Sequence, residues 1–155
     1  MKGKWKLVLF LGIPLAVGGL AGFLTMDSMK EFASLNQPPL SPPGWLFPVV
    51  WTVLYLLMGL ASYLIWSSGA EQAEIYRALK AYFLQLGFNF VWPVLFFGLA
   101  AYLPAFFWLI GLWVLILVTM VLFYRIRPLA GDLLLPYLLW VTFAGYLNYG
   151  VYLLN

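Results

Sequence analysis

Five apolar stretches, each about as long as a lipid bilayer is thick, divide this chain. They run over residues 7–24, 45–66, 81–101, 105–124 and 133–154. A helix needs about 20 residues to cross the hydrocarbon of a bilayer. Inside that hydrocarbon every backbone polar group must be paired within the protein, which a helix achieves by itself. The predicted fold is therefore an all-α membrane protein, a five-transmembrane-helix bundle that forms a single domain over residues 1–155.

The composition supports a membrane protein and excludes several kinds of site. Hydrophobic residues make up 65% of the chain and charged residues 8%, whereas an ordinary globular domain carries about 25% charged residues. The net charge is +3 and the basic residues are scattered, so we expect no nucleic-acid partner. The sequence contains no cysteine and no histidine. Thiol chemistry, a disulfide framework and a conventional metal site are therefore not expected.

The basic residues predict the orientation of the helices. If five helices alternate in direction, one side of the membrane receives Lys2, Lys4, Lys6, Arg77, Lys80, Arg125 and Arg127, and the other side receives Lys30. Lysine and arginine accumulate in cytoplasmic loops. We therefore expect a cytoplasmic N-terminus, a C-terminus outside, and an outer position for the long loop over residues 25–42. Since the first helix shows no signal-peptide cleavage site, we expect a plasma-membrane protein.

One polar pattern lies inside the third predicted helix. Gln85, Asn89 and Trp92 are spaced so that they share one face. Amide groups in hydrocarbon need hydrogen-bond partners, so this face should point into the bundle. Two interpretations remain open: an interhelical hydrogen-bond clasp, or polar contacts inside a ligand cavity. Pro93 follows and predicts a bend, because proline removes a backbone donor.

Two aromatic faces accompany this polar pattern. In the second predicted helix, Trp51, Tyr55, Gly59, Ser62 and Trp66 recur at steps of three or four; in the fifth, Tyr137, Trp140, Ala144, Asn148 and Tyr152 do so. These faces predict the walls of a pocket for a flat, apolar ligand, with aromatic packing between helices as the alternative. Trp45 and Trp66 are expected near opposite membrane interfaces.

Three shorter features complete the prediction. Pro42, Pro43 and Gly44 should start the second helix, since proline is tolerated in a first turn. The loop over residues 25–42 is either a lid above the pocket or a solvated spacer. Gly18 and Gly22 lie four apart and allow close helix approach, either within the bundle or at a dimer seam.

Three segments together resemble the tryptophan-rich sensory protein / translocator protein family (TspO/MBR, the peripheral-type benzodiazepine receptors). They read PPGWLFPVVWTVLY, LGFNFVWPVLFFG and PYLLWVTFAGYLNYGVYLLN, in that order. The resemblance implies a five-helix bundle, usually a homodimer, with a pocket that opens toward the first loop. It also implies binding of porphyrins, of synthetic isoquinoline carboxamides and benzodiazepines, and in animals of cholesterol. Some bacterial members promote light- and oxygen-dependent breakdown of protoporphyrin IX.

The resemblance implies roles for particular residues. Trp51 and Trp140 match the two tryptophans implicated in porphyrin breakdown, and Asn89, Ala144 and Asn148 match other pocket positions. With the polar and aromatic faces, the full predicted ligand-binding set is Pro43, Trp45, Trp51, Tyr55, Gln85, Asn89, Trp92, Tyr137, Trp140, Ala144 and Asn148. The first loop departs from the family pattern, since Phe32 and Leu40 stand where family members often carry tryptophan.

The sequence therefore favours an integral membrane sensor or receptor for tetrapyrroles such as protoporphyrin IX, which promotes photo-oxidative porphyrin degradation without an obligatory cofactor. A non-catalytic carrier or translocator of porphyrin, sterol or another lipophile is the alternative. A structural bundle without a ligand is a third hypothesis.

Overall fold

The computed structural model describes residues 2–155, with side chains from residue 3 onward. The predicted cytoplasmic position of the Lys2 side chain therefore lies outside the described residues. In this part of the chain, five helices are long and apolar enough to cross a membrane, which confirms the predicted fold class. The helices are α1 (Lys2–Leu24), α2 (Met26–Phe32), α3 (Leu46–Trp66), α4 (Gln72–Pro93), α5 (Tyr102–Ile126), α6 (Pro128–Asp132) and α7 (Leu135–Leu154), and a π-helical segment, Val94–Gly98, follows α4.

The spanning helices pack around one core. Helix α1 packs along α3 and touches α4, α4 packs along α5, and α5 packs along α7. Helix α7 meets α3 along a sparser seam. The largest fully buried side chains include Met58, Tyr82, Phe123 and Tyr137. Helix α5 buries the face that carries Leu109 and Ile116 in this core, while Val114 and other apolar residues on its opposite side are exposed.

Glycines allow α1 and α3 to approach closely. A Cβ atom on Gly59 of α3 would lie 2.7 Å from the carbonyl oxygen of Phe10 in α1. A Cβ atom on Gly18 would overlap the ring of Tyr55. Gly22 has open space around it. Only Gly18 of the predicted pair therefore serves packing within the bundle.

Two helices begin before the predicted spans. Helix α1 begins at Lys2 instead of residue 7, and α4 begins at Gln72 instead of residue 81. The charged segment just before residue 81 is thus part of α4. Hydropathy marks where hydrocarbon ends, but backbone hydrogen bonding continues into water, so charged residues extend a helix without belonging to its apolar span.

Proline-rich segments differ in detail from the predictions. The loop over residues 25–42 contains a short helix, α2, and α3 begins at Leu46, after the prolines. Pro93 is followed directly by the π-helical segment, and the bend predicted there stays a prediction. There Leu99 N–H donates to the carbonyl of Val94 over 2.9 Å. This bond spans five residues, which is the spacing of a π-helix.

Candidate ligand-binding site

A chain of four hydrogen-bonded side chains crosses the core from α3 to α4 and α7. Tyr55 Oη donates to Asn89 Oδ1 over 2.7 Å, and Asn89 Nδ2 donates to Tyr137 Oη over 2.8 Å. Tyr137 Oη in turn donates to Gln85 Oε1 over 2.7 Å. All four side chains are buried. We call this set the polar chain. It joins three helices where unpaired amides would be costly.

A second hydrogen-bonded pair lies closer to the α4–α5 turn. Trp92 Nε1 donates to Asn148 Oδ1 over 3.0 Å, and Asn148 Nδ2 donates to the carbonyl of Tyr102 over 2.8 Å. The Trp92 ring also stacks on Phe96, with centroids 5.1 Å apart. Together with the polar chain, these bonds form the interhelical clasp that was one of the two interpretations of this face. The contact of these residues with a ligand stays a prediction.

The two tryptophans of the predicted site lie on the seam between α3 and α7. Trp51 is half-buried and stacks on Tyr55 at 5.6 Å, and it meets Tyr137 edge-on at 6.2 Å. Trp140 is half-buried and meets Phe47 edge-on at 5.9 Å. Helices α3 and α7 therefore contact each other through two aromatic pairs, Phe47 with Trp140 and Trp51 with Tyr137, about one helical turn apart. This arrangement is the aromatic seam: Phe47, Trp51, Tyr137 and Trp140.

A groove of about 580 Å³ lies beside the aromatic seam, between α3 and α7. Its lining is apolar and includes Val50, Leu54, Pro136 and Trp140. The indole Nε1 of Trp140 is buried and has no hydrogen-bond partner among the described residues. Trp140 thus belongs both to the aromatic seam and to the lining of the groove.

The connector between α2 and α3 is fastened to the end of α7. Tyr146 Oη donates to the carbonyl of Pro39 over 2.6 Å. Asn155 Nδ2 donates to the carbonyl of Asn36 over 2.8 Å, and the Asn36 N–H donates back to Asn155 Oδ1 over 3.3 Å. These bonds, which we call the latch, hold the connector against the end of α7, and a role as a lid stays a prediction.

Apolar contacts reinforce the latch. Pro38 is buried against Gly150, where a Cβ atom would lie 2.6 Å from the proline ring. Phe32, which ends α2, packs edge-on against Phe97 at 5.2 Å and also touches Phe96. Phenylalanine at position 32 thus anchors the connector to the π-helical segment.

The structure gathers most of the predicted site residues and leaves two apart. The ones it brings together, in the core or on the aromatic seam, are Trp51, Tyr55, Gln85, Asn89, Trp92, Tyr137, Trp140, Ala144 and Asn148. Pro43 and Trp45 are exposed in the connector, and Trp45 is 68% exposed. On the fifth-helix face, Tyr152 is exposed instead of lining a wall.

Sequence reasoning missed several side chains around this site. Phe47 forms part of the aromatic seam, and Tyr146 and Asn155 form the latch. Tyr82 is fully buried one turn before Gln85. The signal for Tyr82 was available, because it extends the spacing of Gln85, Asn89 and Trp92 back by three residues. The latch had no local signal.

The chemistry available at the site is that of aromatic rings and amides. In the described part of the chain, no three carboxylate side chains gather as a metal site would require. Indole and phenol rings offer large apolar surface, offset or edge-on stacking, and electrons for one-electron oxidation. Such a site can bind and orient a flat apolar molecule.

Comparison with known proteins gives a consistent result. The model of the TspO/MBR family matches residues 10–154. The tryptophan-rich protein TspO of Archaeoglobus fulgidus is 40% identical, over 97% of each chain. The tryptophan-rich sensory protein of Cereibacter sphaeroides is 36% identical, over 100% of this chain and 95% of the relative. The translocator protein of Bos taurus is 36% identical, over 86% of this chain and 81% of the relative.

Proposed function

The chain belongs to the TspO/MBR family and is an integral membrane protein, and from this premise we propose that it is a receptor for tetrapyrroles such as protoporphyrin IX. The observation that carries the proposal is the aromatic seam, where Trp51 and Trp140 lie half-buried on facing helices. The ligand would lie against these rings, beneath the connector.

The physical chemistry of the seam suits a porphyrin. A porphyrin is a flat apolar disc with carboxylates at one edge. Burial of apolar surface contributes about 25 cal/mol per Å², and each well-placed aromatic pair adds roughly 0.5–1.5 kcal/mol. Asn89 and the Oε1 atom of Gln85 are already bonded to other side chains of the polar chain, so affinity rests mainly on stacking and shape. Lys30 on α2 is the cation available near the connector for a carboxylate.

We further propose that the bound porphyrin is degraded in light and oxygen, with Trp51 and Trp140 as the reacting side chains. An excited porphyrin accepts one electron from an indole, which leaves an indole radical cation and a porphyrin radical anion. Molecular oxygen then takes the electron from the porphyrin and becomes superoxide, and the indole radical cation recovers an electron from the macrocycle. Superoxide adds to the resulting porphyrin radical cation at a methine bridge, and the carbon–carbon bond there breaks as the two oxygen atoms become two carbonyl groups. The role of the protein in this step is to hold an indole against the macrocycle, which the position of Trp51 and Trp140 on the seam supports.

The test is a titration of the purified protein with protoporphyrin IX in the dark, followed by illumination in air with porphyrin absorbance as the readout. The variants are Trp51→Phe, Trp140→Phe and both together. Trp5→Phe is the matched control, because Trp5 is exposed near the start of α1. We expect light-driven loss of porphyrin that falls in the double variant. Equal loss in the double variant would overturn the degradation step.

A non-catalytic carrier or translocator of porphyrin, sterol or another lipophile is the second candidate. The apolar groove of about 580 Å³ beside Trp140 favours it, since such a surface suits a lipophile without any chemistry. Saturable binding without light-dependent loss would support this candidate against the first. Synthetic isoquinoline carboxamides and benzodiazepines serve as competing probes in the same titration.

We also propose the orientation and assembly. The N-terminus would lie in the cytoplasm of a bacterial cell, the C-terminus outside the plasma membrane, and the protein would form a homodimer. Lys6 lies near the start of α1, and its ammonium is 5.1 Å from the centroid of the Trp66 ring at the end of α3. A cation beside an interfacial tryptophan supports a membrane boundary at that level.

A further inference from the structure

Two buried polar atoms of α4 have no hydrogen-bond partner among the described residues. They are Gln85 Nε2 and Tyr82 Oη. Each of the two side chains is 1% exposed. A buried donor without a partner is costly in any core, and more so in a protein surrounded by hydrocarbon. Two such atoms in one place require an explanation.

The two atoms belong to one neighbourhood. Tyr82 and Gln85 are three residues apart on α4, so their Cβ atoms lie about 5–6 Å from each other on one face. The Oε1 atom of Gln85 is already taken by Tyr137, which leaves the NH₂ group of the same amide to be satisfied. Gln85 is therefore the last member of the polar chain, and its free donor is the open end of that chain.

A third polar group faces this neighbourhood from α3. Ser62 is fully buried and lies beside the Tyr82 hydroxyl. Its proton is donated to the carbonyl of Gly59 over 2.8 Å. The Ser62 oxygen therefore keeps a lone pair that can accept a hydrogen bond. The contact between Tyr82 and Ser62 does not itself have hydrogen-bond geometry.

We propose that one buried water molecule links Gln85, Tyr82 and Ser62. The water accepts a hydrogen bond from Gln85 Nε2 and another from Tyr82 Oη, and it donates one to Ser62 Oγ. Buried waters make about three such bonds, so the three groups match what one water needs. The polar chain then runs without a break from Tyr55 to Ser62, and α3 is joined to α4 at two levels.

The direction in which Tyr82→Phe changes the stability of the protein tests this site. If the Tyr82 hydroxyl were simply unpaired, Tyr82→Phe would remove a buried orphan and leave stability equal or higher. If the hydroxyl holds the water, the same change removes a bond from the water, and the thermal midpoint in detergent falls by about 2–4 °C. Tyr76→Phe is the matched control, because Tyr76 is 71% exposed on the same helix.

A double-mutant cycle identifies the partner. We expect the loss caused by Tyr82→Phe to shrink by at least half in a Gln85→Leu background, because the shared water is already gone. A midpoint that is unchanged or raised by Tyr82→Phe overturns the proposal. A loss that persists in full in Gln85→Leu but vanishes in Ser62→Ala also overturns it, since the phenol would then bond to serine directly.

A spectroscopic measurement provides a readout that does not depend on stability. The infrared difference between wild type and Tyr82→Phe should contain a water O–H band that shifts when the solvent is H₂¹⁸O. The absence of an isotope-sensitive band overturns the proposal.

Discussion

Asn89 on α4 donates a hydrogen bond of 2.8 Å to the hydroxyl of Tyr137 on α7. The same hydroxyl donates to Gln85, so a single phenol pairs with both intramembrane amides of α4. Helices α4 and α7 are thereby held in register at the level of the aromatic seam. The rigidity of the proposed site depends on this phenol.

We predict that Tyr137→Phe destabilises the bundle. The change leaves Asn89 Nδ2 and Gln85 Oε1 without partners in the core, at a cost of about 1–3 kcal/mol for each orphaned group. Thermal unfolding in detergent measures the effect. Tyr124→Phe, at an exposed position of α5, should leave the midpoint unchanged. A Tyr137→Phe protein as stable as wild type would show that the polar chain contributes nothing to stability.

We predict that Gly59→Ala separates α1 from α3. The new Cβ would meet backbone atoms of Phe10 and Leu11, which cannot rotate away. Overpacking of this kind costs about 1–3 kcal/mol. Gly19→Ala is the control, because nothing lies within 4 Å of its Cβ position, and alanine favours a helix by up to about 1 kcal/mol. Equal stability in the two variants would contradict the close helix contact.

We predict that loosening the latch accelerates ligand entry. Tyr146→Phe removes the bond to Pro39, and Asn155→Ala removes both bonds to Asn36. The connector should then open more often, so the association rate of protoporphyrin IX should rise. Stopped-flow quenching of protein fluorescence measures that rate.

The control for the latch is Tyr152→Phe, an exposed tyrosine on the same helix. An association rate that is the same in wild type and in the Tyr146→Phe, Asn155→Ala double variant would show that the ligand does not enter beneath the connector. Entry from the bilayer, through the groove beside Trp140, would then be the route to test.

We predict that Trp51→Ala weakens porphyrin binding in the dark more than Trp45→Ala does. Trp51 supplies a stacking surface worth roughly 0.5–1.5 kcal/mol beyond its area, which corresponds to a loss of about 2- to 10-fold in affinity. Trp45 is exposed outside the core. Absorbance titration measures both variants. A larger loss for Trp45→Ala would move the binding surface to the connector.

We predict that a cysteine at Ser67 is labelled only from the cytoplasm and a cysteine at Ser34 only from outside. Both serines are exposed, at opposite ends of the bundle, and the chain contains no native cysteine. A membrane-impermeant maleimide applied to intact cells and to lysed cells distinguishes the two positions. Labelling of Ser67→Cys in intact cells would reverse the proposed orientation.

The sequence by itself determined the number of membrane spans and the inward direction of Gln85, Asn89 and Trp92. Both follow from the solvent, because hydrocarbon requires apolar surface and leaves amides no partner outside the bundle. The starts of α1 and α4 could not be predicted in the same way. Hydropathy records the thickness of the bilayer, and Lys2 and Gln72 lie in helix beyond it.

Only the tertiary structure decided which partner each polar group takes. Asn89 finds Tyr55 and Tyr137 across 34 and 48 residues of sequence, and Asn36 finds Asn155 across 119. Many tyrosines and amides of this chain would satisfy the same chemistry. The choice among them depends on the rotation and axial position of each helix relative to its neighbours. Close contacts such as that of Gly59 with α1 determine these positions, and no local sequence pattern encodes them.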